Sequence, residues 1–111
     1  MVYKLMANTY INAKLDLTAT SVTTLYTCPA LTTGVVKSII VSEDTGSADT
    51  ITVTLTSGSS VYSLFKVKAI GANTTVELLT APLIVQAGEI LKVTAATANR
   101  LHVVASILEI T

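Results

Sequence analysis

Three carboxylates lie close together in the stretch EDTGSAD, as Glu43, Asp44 and Asp49. A calcium loop of the EF-hand type needs acidic side chains at alternating positions, a glycine at the sixth and a closing glutamate. Here the spacing is irregular, and no glutamate follows until Glu77. Threonine and serine oxygens could help a surface metal bind. Asp44, Gly46 and Ser47 are also turn formers, each through a local hydrogen bond or backbone freedom. The expected reading is a hairpin turn between two strands, with no metal site.

The remaining reactive side chains are sparse. His102 is the single histidine and stands two residues after the single arginine, Arg100. A general base needs a nucleophile or an orienting acid within hydrogen-bond reach. Ser106 follows four residues on, too far along a strand for direct contact. Arg100 and His102 are therefore expected on one strand face, at an edge or a subunit contact, and no catalytic residue is assigned. Cys28 has no partner for an internal disulfide and reads as a small apolar side chain in a strand. One histidine and one cysteine do not furnish a structural zinc site within a chain. Gly58 precedes no lysine and no helix start, so it marks a hairpin rather than a phosphate cradle. Lys66 and Lys68 share a strand face with Tyr62 and read as solvated or edge-guarding residues. Tyr3, Tyr10, Tyr26 and Tyr62 are too scattered for a sugar platform or a base-stacking surface. No cofactor and no small-molecule substrate is expected.

The elements that would carry these residues are strands. Threonine occupies 19 of the 111 positions, and β-branched side chains suit a pleated surface. Thr50–Thr56, TITVTLT, alternates strictly, with Ile51, Val53 and Leu55 on one face and threonines on the other. VYSLFKVKA, LKVTA and KLDLT alternate as well. By contrast, GVVKSIIVSE and LHVVASILEI are nearly continuous apolar runs. Both of their faces call for cover, by a second sheet or by another copy. Turn signals at CPALTTG, EDTGSAD, TSGSS, GANTT, TAP, QAGE and TANR bound eight or nine strands. These fall at about 13–18, 22–28, 35–43, 50–56, 60–68, 74–80, 82–86, 90–96 and 101–110. The expected fold is all-β, a single-domain antiparallel β-sandwich of jelly-roll-like or immunoglobulin-like order. Residues 1–12 do not alternate cleanly and are read as an extended N-terminal arm preceding the sandwich at 13–111.

Composition narrows the partners. Net charge is zero and 13% of residues are charged, against roughly 25% in ordinary soluble domains. So neutral a surface does little to keep copies apart. It has no basic excess to attract nucleic acid. No apolar run approaches the roughly 20 residues of a membrane-spanning helix, and the N-terminus is a poor signal peptide.

One further feature is a resemblance. YTCPA (Tyr26–Ala30), TGVVKSI (Thr33–Ile39), the acidic stretch Glu43–Asp49 and LIVQAGEIL (Leu83–Leu91) occur in an order similar to that of small structural proteins of tailed bacteriophages. Glu89 stands where those proteins usually carry aspartate. The resemblance covers roughly residues 20–110. It implies a non-enzymatic virion structural protein, foremost a capsid decoration or cement protein that binds and stabilises the assembled head. A tail, baseplate or fibre module is the alternative. It also implies a homo-oligomer, with a trimer favoured, contacts with the major capsid protein or other virion proteins, and location in the virion after synthesis in the host cytoplasm. Tyr3, Tyr10, Tyr62, Arg100 and His102 are the expected interface residues.

Overall fold

The structure is a computed structural model and describes residues 7–111. It contains nine strands and no helix among the described residues. They are β1 (Asn8–Asp16), β2 (Thr23–Thr27), β3 (Thr33–Glu43), β4 (Asp49–Ser57), β5 (Ser60–Ile70), β6 (Thr75–Glu77), β7 (Leu83–Val85), β8 (Ile90–Ala95) and β9 (Leu101–Ile110). Each expected strand has its counterpart. The largest difference is at the N-terminus, where β1 begins at Asn8. Residues 8–12, counted with the arm in the sequence reading, pair in register with β9, Asn8 opposite Ile110 and Asn12 opposite Ser106. Alternation is weak there because the outward residues include Tyr10, so polarity alone does not mark the strand.

Two antiparallel sheets make the sandwich. One has the order β1-β9-β3-β6, with β7 pairing a second segment of β3; the other has the order β2-β8-β4-β5. The pairs nest, because β1 pairs β9, β2 pairs β8, β3 pairs β6 and β7, and β4 pairs β5. The chain is thus a long hairpin folded over on itself, with its tip at Ser57–Ser60. That nesting is the jelly-roll order. In the immunoglobulin-like alternative the sheets hold strands ABED and CFG, whereas here β1 and β2 lie in different sheets.

Strand order corrects one local expectation. EDTGSAD is no hairpin. It carries the chain from β3 in one sheet to β4 in the other. Gly58 does sit in a hairpin, the two-residue turn between Ser57 and Ser60, at φ 60°. Positive φ is what such turns require.

The core lies between the sheets. Val36, Ile39 and Val41 of β3 and Leu101, Val103, Ala105 and Ile107 of β9 face Ile51 and Val53 of β4 and Leu91, Val93 and Ala95 of β8, all essentially inaccessible to solvent. Cys28 is buried, and its thiol lies 3.3 Å from the Thr32 carbonyl oxygen. An irregularity in β2 between Thr24 and Tyr26 turns both Leu25 and Tyr26 inward.

Candidate interaction surfaces

The acidic loop is an internal clip. The Glu43 carboxylate is buried. It accepts hydrogen bonds from the Thr45 N–H at 2.7 Å, the Thr45 hydroxyl, the Gly46 N–H at 3.1 Å and, from the β5–β6 connection, the Asn73 N–H at 3.0 Å. The Thr45 hydroxyl bond is the main reason its pKa falls to about 2; desolvation opposes the shift, and the backbone donors add to it. Asp49, also buried, accepts from the Thr97 N–H at 3.1 Å. Two of the three carboxylates are thus spent on backbone donors. Among the described residues no three metal-ligating side chains come together.

Arg100 and His102 fasten the same end of the molecule. The Arg100 guanidinium donates to the Ala48 carbonyl at 2.9 Å. His102 sits on β9 directly opposite Asp16 of β1, with Nε2 3.3 Å from the Asp16 carboxylate and Nδ1 4.0 Å from that of Asp44. Tyr10 lies at the other end of the same sheet, opposite Leu108, and is 75% exposed. Tyr62 is exposed on β5 of the second sheet. Tyr3 falls outside the described residues. The named interface residues therefore occupy separate regions, with Arg100 and His102 together and both tyrosines apart from them.

At the Tyr10 end the sheets are latched through a glycine. Tyr26 donates a 2.6 Å hydrogen bond to Glu109. Its phenol pKa is raised, first by burial and then by that bond. Gly34 is the cross-strand partner of Glu109, and a Cβ there would stand 2.9 Å from the Tyr26 hydroxyl oxygen. Only a residue without a side chain lets the ring pass between the sheets to reach the carboxylate.

Glu77 performs a similar task at the gap between β6 and β7. Its carboxylate accepts from the Ser38 hydroxyl, the Ile39 N–H at 2.8 Å and the Leu79 N–H at 3.1 Å. It thereby serves β3 donors that neither short strand reaches. Desolvation raises its pKa, but the hydrogen bonds outweigh it and the net shift is downward.

The two outer faces of the sandwich differ. On the β2-β8-β4-β5 sheet, Thr50, Thr52, Thr54 and Thr56 of β4 face outward, with Thr94 and Lys92 of β8 beside them. On the other sheet, register aligns an apolar row across four strands: Tyr10, Leu108, Val35 and Ile84. Val104 and Ile40 lie side by side in a second row. Tyr10, Ile84 and Ile40 are exposed, and Leu108, Val35 and Val104 are half-buried. Leu31, 79% exposed and at φ 57°, stands at the rim of a shallow depression of about 540 Å³ that Ile84 and Ile110 also line. The polar row of Asn12, Ser106 and Ser38 separates the two apolar rows. Exposed apolar residues grouped in this way are the kind of surface that interaction sites use.

Chemistry-bearing residue types do not reveal the apolar rows, because His102, Asp16 and Lys14 on the same face lie beside them and not in the Leu108 row. The signal was hydropathy. GVVKSIIVSE and LHVVASILEI are apolar on both sides, and the second sheet covers only one.

No protein-family model and no curated protein matches the chain. Among solved structures it is similar to a pentameric capsid protein isolated from metagenomic phage sequences, at 21% identity and a TM-score of 0.46. The likeness covers 89% of this chain, which spans 59% of the length of that protein.

Proposed function

We propose that this protein is a non-enzymatic structural component of a tailed-phage virion, a decoration or cement subunit that binds the assembled head. The observation that carries the reading is the pair of apolar rows on the outer face of the β1-β9-β3 sheet, which no described residue covers. A chain acting alone gains nothing from Val35, Ile40, Val104, Leu108 and Ile84 in contact with water. A chain that docks on a shell, or on its own copies, buries them at about 25 cal/mol per Å². The motif order from Tyr26 to Leu91 supports the same reading. So does the low charge, which suits close packing of many copies, where weak contacts add through multivalency. The buried carboxylates act as internal clips, as a rigid building block requires.

Antibody-gold labelling of intact particles, viewed by electron microscopy, tests the proposal. Gold spread over the head is the expected result. Gold confined to the tail end would replace the decoration role with a tail, baseplate or fibre role. Particles without gold would overturn the virion reading.

A further inference from the structure

The edges of the two sheets are guarded unequally. A strand edge offers unpaired N–H and C=O groups to any matching strand, and proteins blunt such edges with short strands, bulges, lysines or prolines. On the β2-β8-β4-β5 sheet, β2 is five residues long. At the other edge of that sheet, β5 carries two register irregularities against β4, Lys66 and Lys68, and Val67 at φ 52°. On the other sheet, β6 and β7 have three residues each. The fourth edge is β1. It runs nine residues in unbroken register with β9, without a bulge or proline and with the single lysine Lys14.

The polarity of that edge follows from the bonds at its two ends. Leu17 N–H donates to the Leu101 carbonyl at 3.0 Å, and Thr111 N–H donates to the Ala7 carbonyl at 3.0 Å. Odd-numbered residues therefore face β9 with their backbone groups. In an antiparallel ladder the alternate residues face the other way. Asn8, Tyr10, Asn12, Lys14 and Asp16 thus present N–H and C=O to an edge that is unpaired among the described residues.

We propose that two copies of this chain join through β1, antiparallel about a two-fold axis at Asn12, so that the β1-β9-β3 sheets of both become one. No other edge among the described residues matches β1 in length and straightness, so the partner edge is β1 of a second copy. Pairing centred on Asn12 engages all nine residues. Asn8 meets Asp16 of the second copy, Tyr10 meets Lys14, and Asn12 meets Asn12. All five outward residues fall in hydrogen-bonded pairs, giving about ten backbone bonds. No like charges are opposed, and each Lys14 ammonium lies beside a tyrosine ring. On the inner face Thr9 meets Leu15 and Ile11 meets Ala13. A centre shifted to Lys14 would shorten the pairing and oppose two lysines. The interface is isologous, as closed dimers require, and it does not depend on a virion role.

Sedimentation of the purified full-length chain tests this. The unmodified protein is expected to have the mass of a dimer or an even multiple of one. Asn12→Lys opposes two charges at the axis, and Asn12→Pro deletes an N–H that β9 does not use; each is expected to halve the mass with an unchanged circular dichroism spectrum. Asn12→Cys is expected to join into a covalent dimer with a short bifunctional thiol crosslinker, since hydrogen-bonded antiparallel pairs hold Cα atoms about 5.5 Å apart and their Cβ atoms slightly too far apart for a direct disulfide. Tyr10→Cys, displaced from the axis, is expected to remain uncrosslinked. A monomeric protein at every concentration reached, or Asn12→Cys that fails to crosslink, would overturn the proposal. An unchanged mass in folded Asn12→Lys and Asn12→Pro proteins would do the same.

Discussion

Gly34 and Glu43 show how single residues hold this sandwich. At Gly34 the constraint is steric. The Tyr26 ring is buried and tied to Glu109, so it cannot swing away from a new Cβ 2.9 Å from its oxygen. Gly34→Ala is expected to cost about 1–3 kcal/mol, the usual range for overpacking. In a Tyr26→Phe background the same substitution is expected to cost less, because the nearest clashing atom is gone. A double-mutant cycle by urea denaturation measures that coupling, and strict additivity would refute the latch. At Glu43 the constraint is electrostatic. Its folded pKa, about 2, lies below the ordinary 4.5, so the carboxylate is stabilised on folding. That stabilisation is complete above pH 4.5 and is lost as pH falls toward 2. Thermal midpoints are expected to drop across that window, with Glu77 adding in the same direction. Glu43→Gln is expected to flatten the drop, and an unaltered profile would remove the clip from the account.

Among the elements, β5 is the strained one. Val67 is a β-branched residue at φ 52°, where L side chains crowd the backbone. The irregularity in the β4–β5 register places it there, with its N–H 3.0 Å from the Thr52 hydroxyl instead of in the ladder. The side chain is 60% exposed, so little burial offsets the strain. Val67→Gly relieves about 1–2 kcal/mol and gives back about 0.5–1 kcal/mol in chain entropy. Net stabilisation of up to about 1 kcal/mol is expected, read as a higher urea midpoint at constant slope. A lower midpoint would mean that the Val67 side chain makes contacts worth more than the strain. Strands β3 and β9 are the opposite case. They are central and carry apolar residues on both faces, with one register shift between Val36 and Ser38, and their surplus is the outer face.

For the whole molecule, the prediction separates folding from assembly. Ile40→Lys and Ile84→Lys replace exposed apolar residues that the core does not use. Each is expected to change stability by no more than about 0.5 kcal/mol. Together they are expected to abolish co-sedimentation with phage heads that lack the protein. Retained binding by the folded double variant would show that another surface docks. The threonine face offers the control: Thr54→Lys and Thr94→Lys are expected to leave binding intact.

By itself the amino-acid sequence determined most of the strands and, where alternation is regular, their inward half. Period-two alternation and β-branched content are local properties, and they mark Ile51, Val53, Leu91 and Val93 as core before any tertiary contact is known. Hydropathy also marked β3 and β9 as strands with two faces to cover. Tertiary structure alone decided which strands are neighbours. Jelly-roll and immunoglobulin-like orders satisfy the same alternation, because alternation records which side of a strand is buried and not what lies beside it. It decided that EDTGSAD crosses between sheets, since a turn-forming composition is the same in a hairpin and in an arch. It separated His102 from Tyr10 and Tyr62, which linear spacing cannot do. It also brought Tyr10, Leu108, Val35 and Ile84 into one row. That row joins four strands distant in sequence, and only their hydrogen-bonded register aligns them.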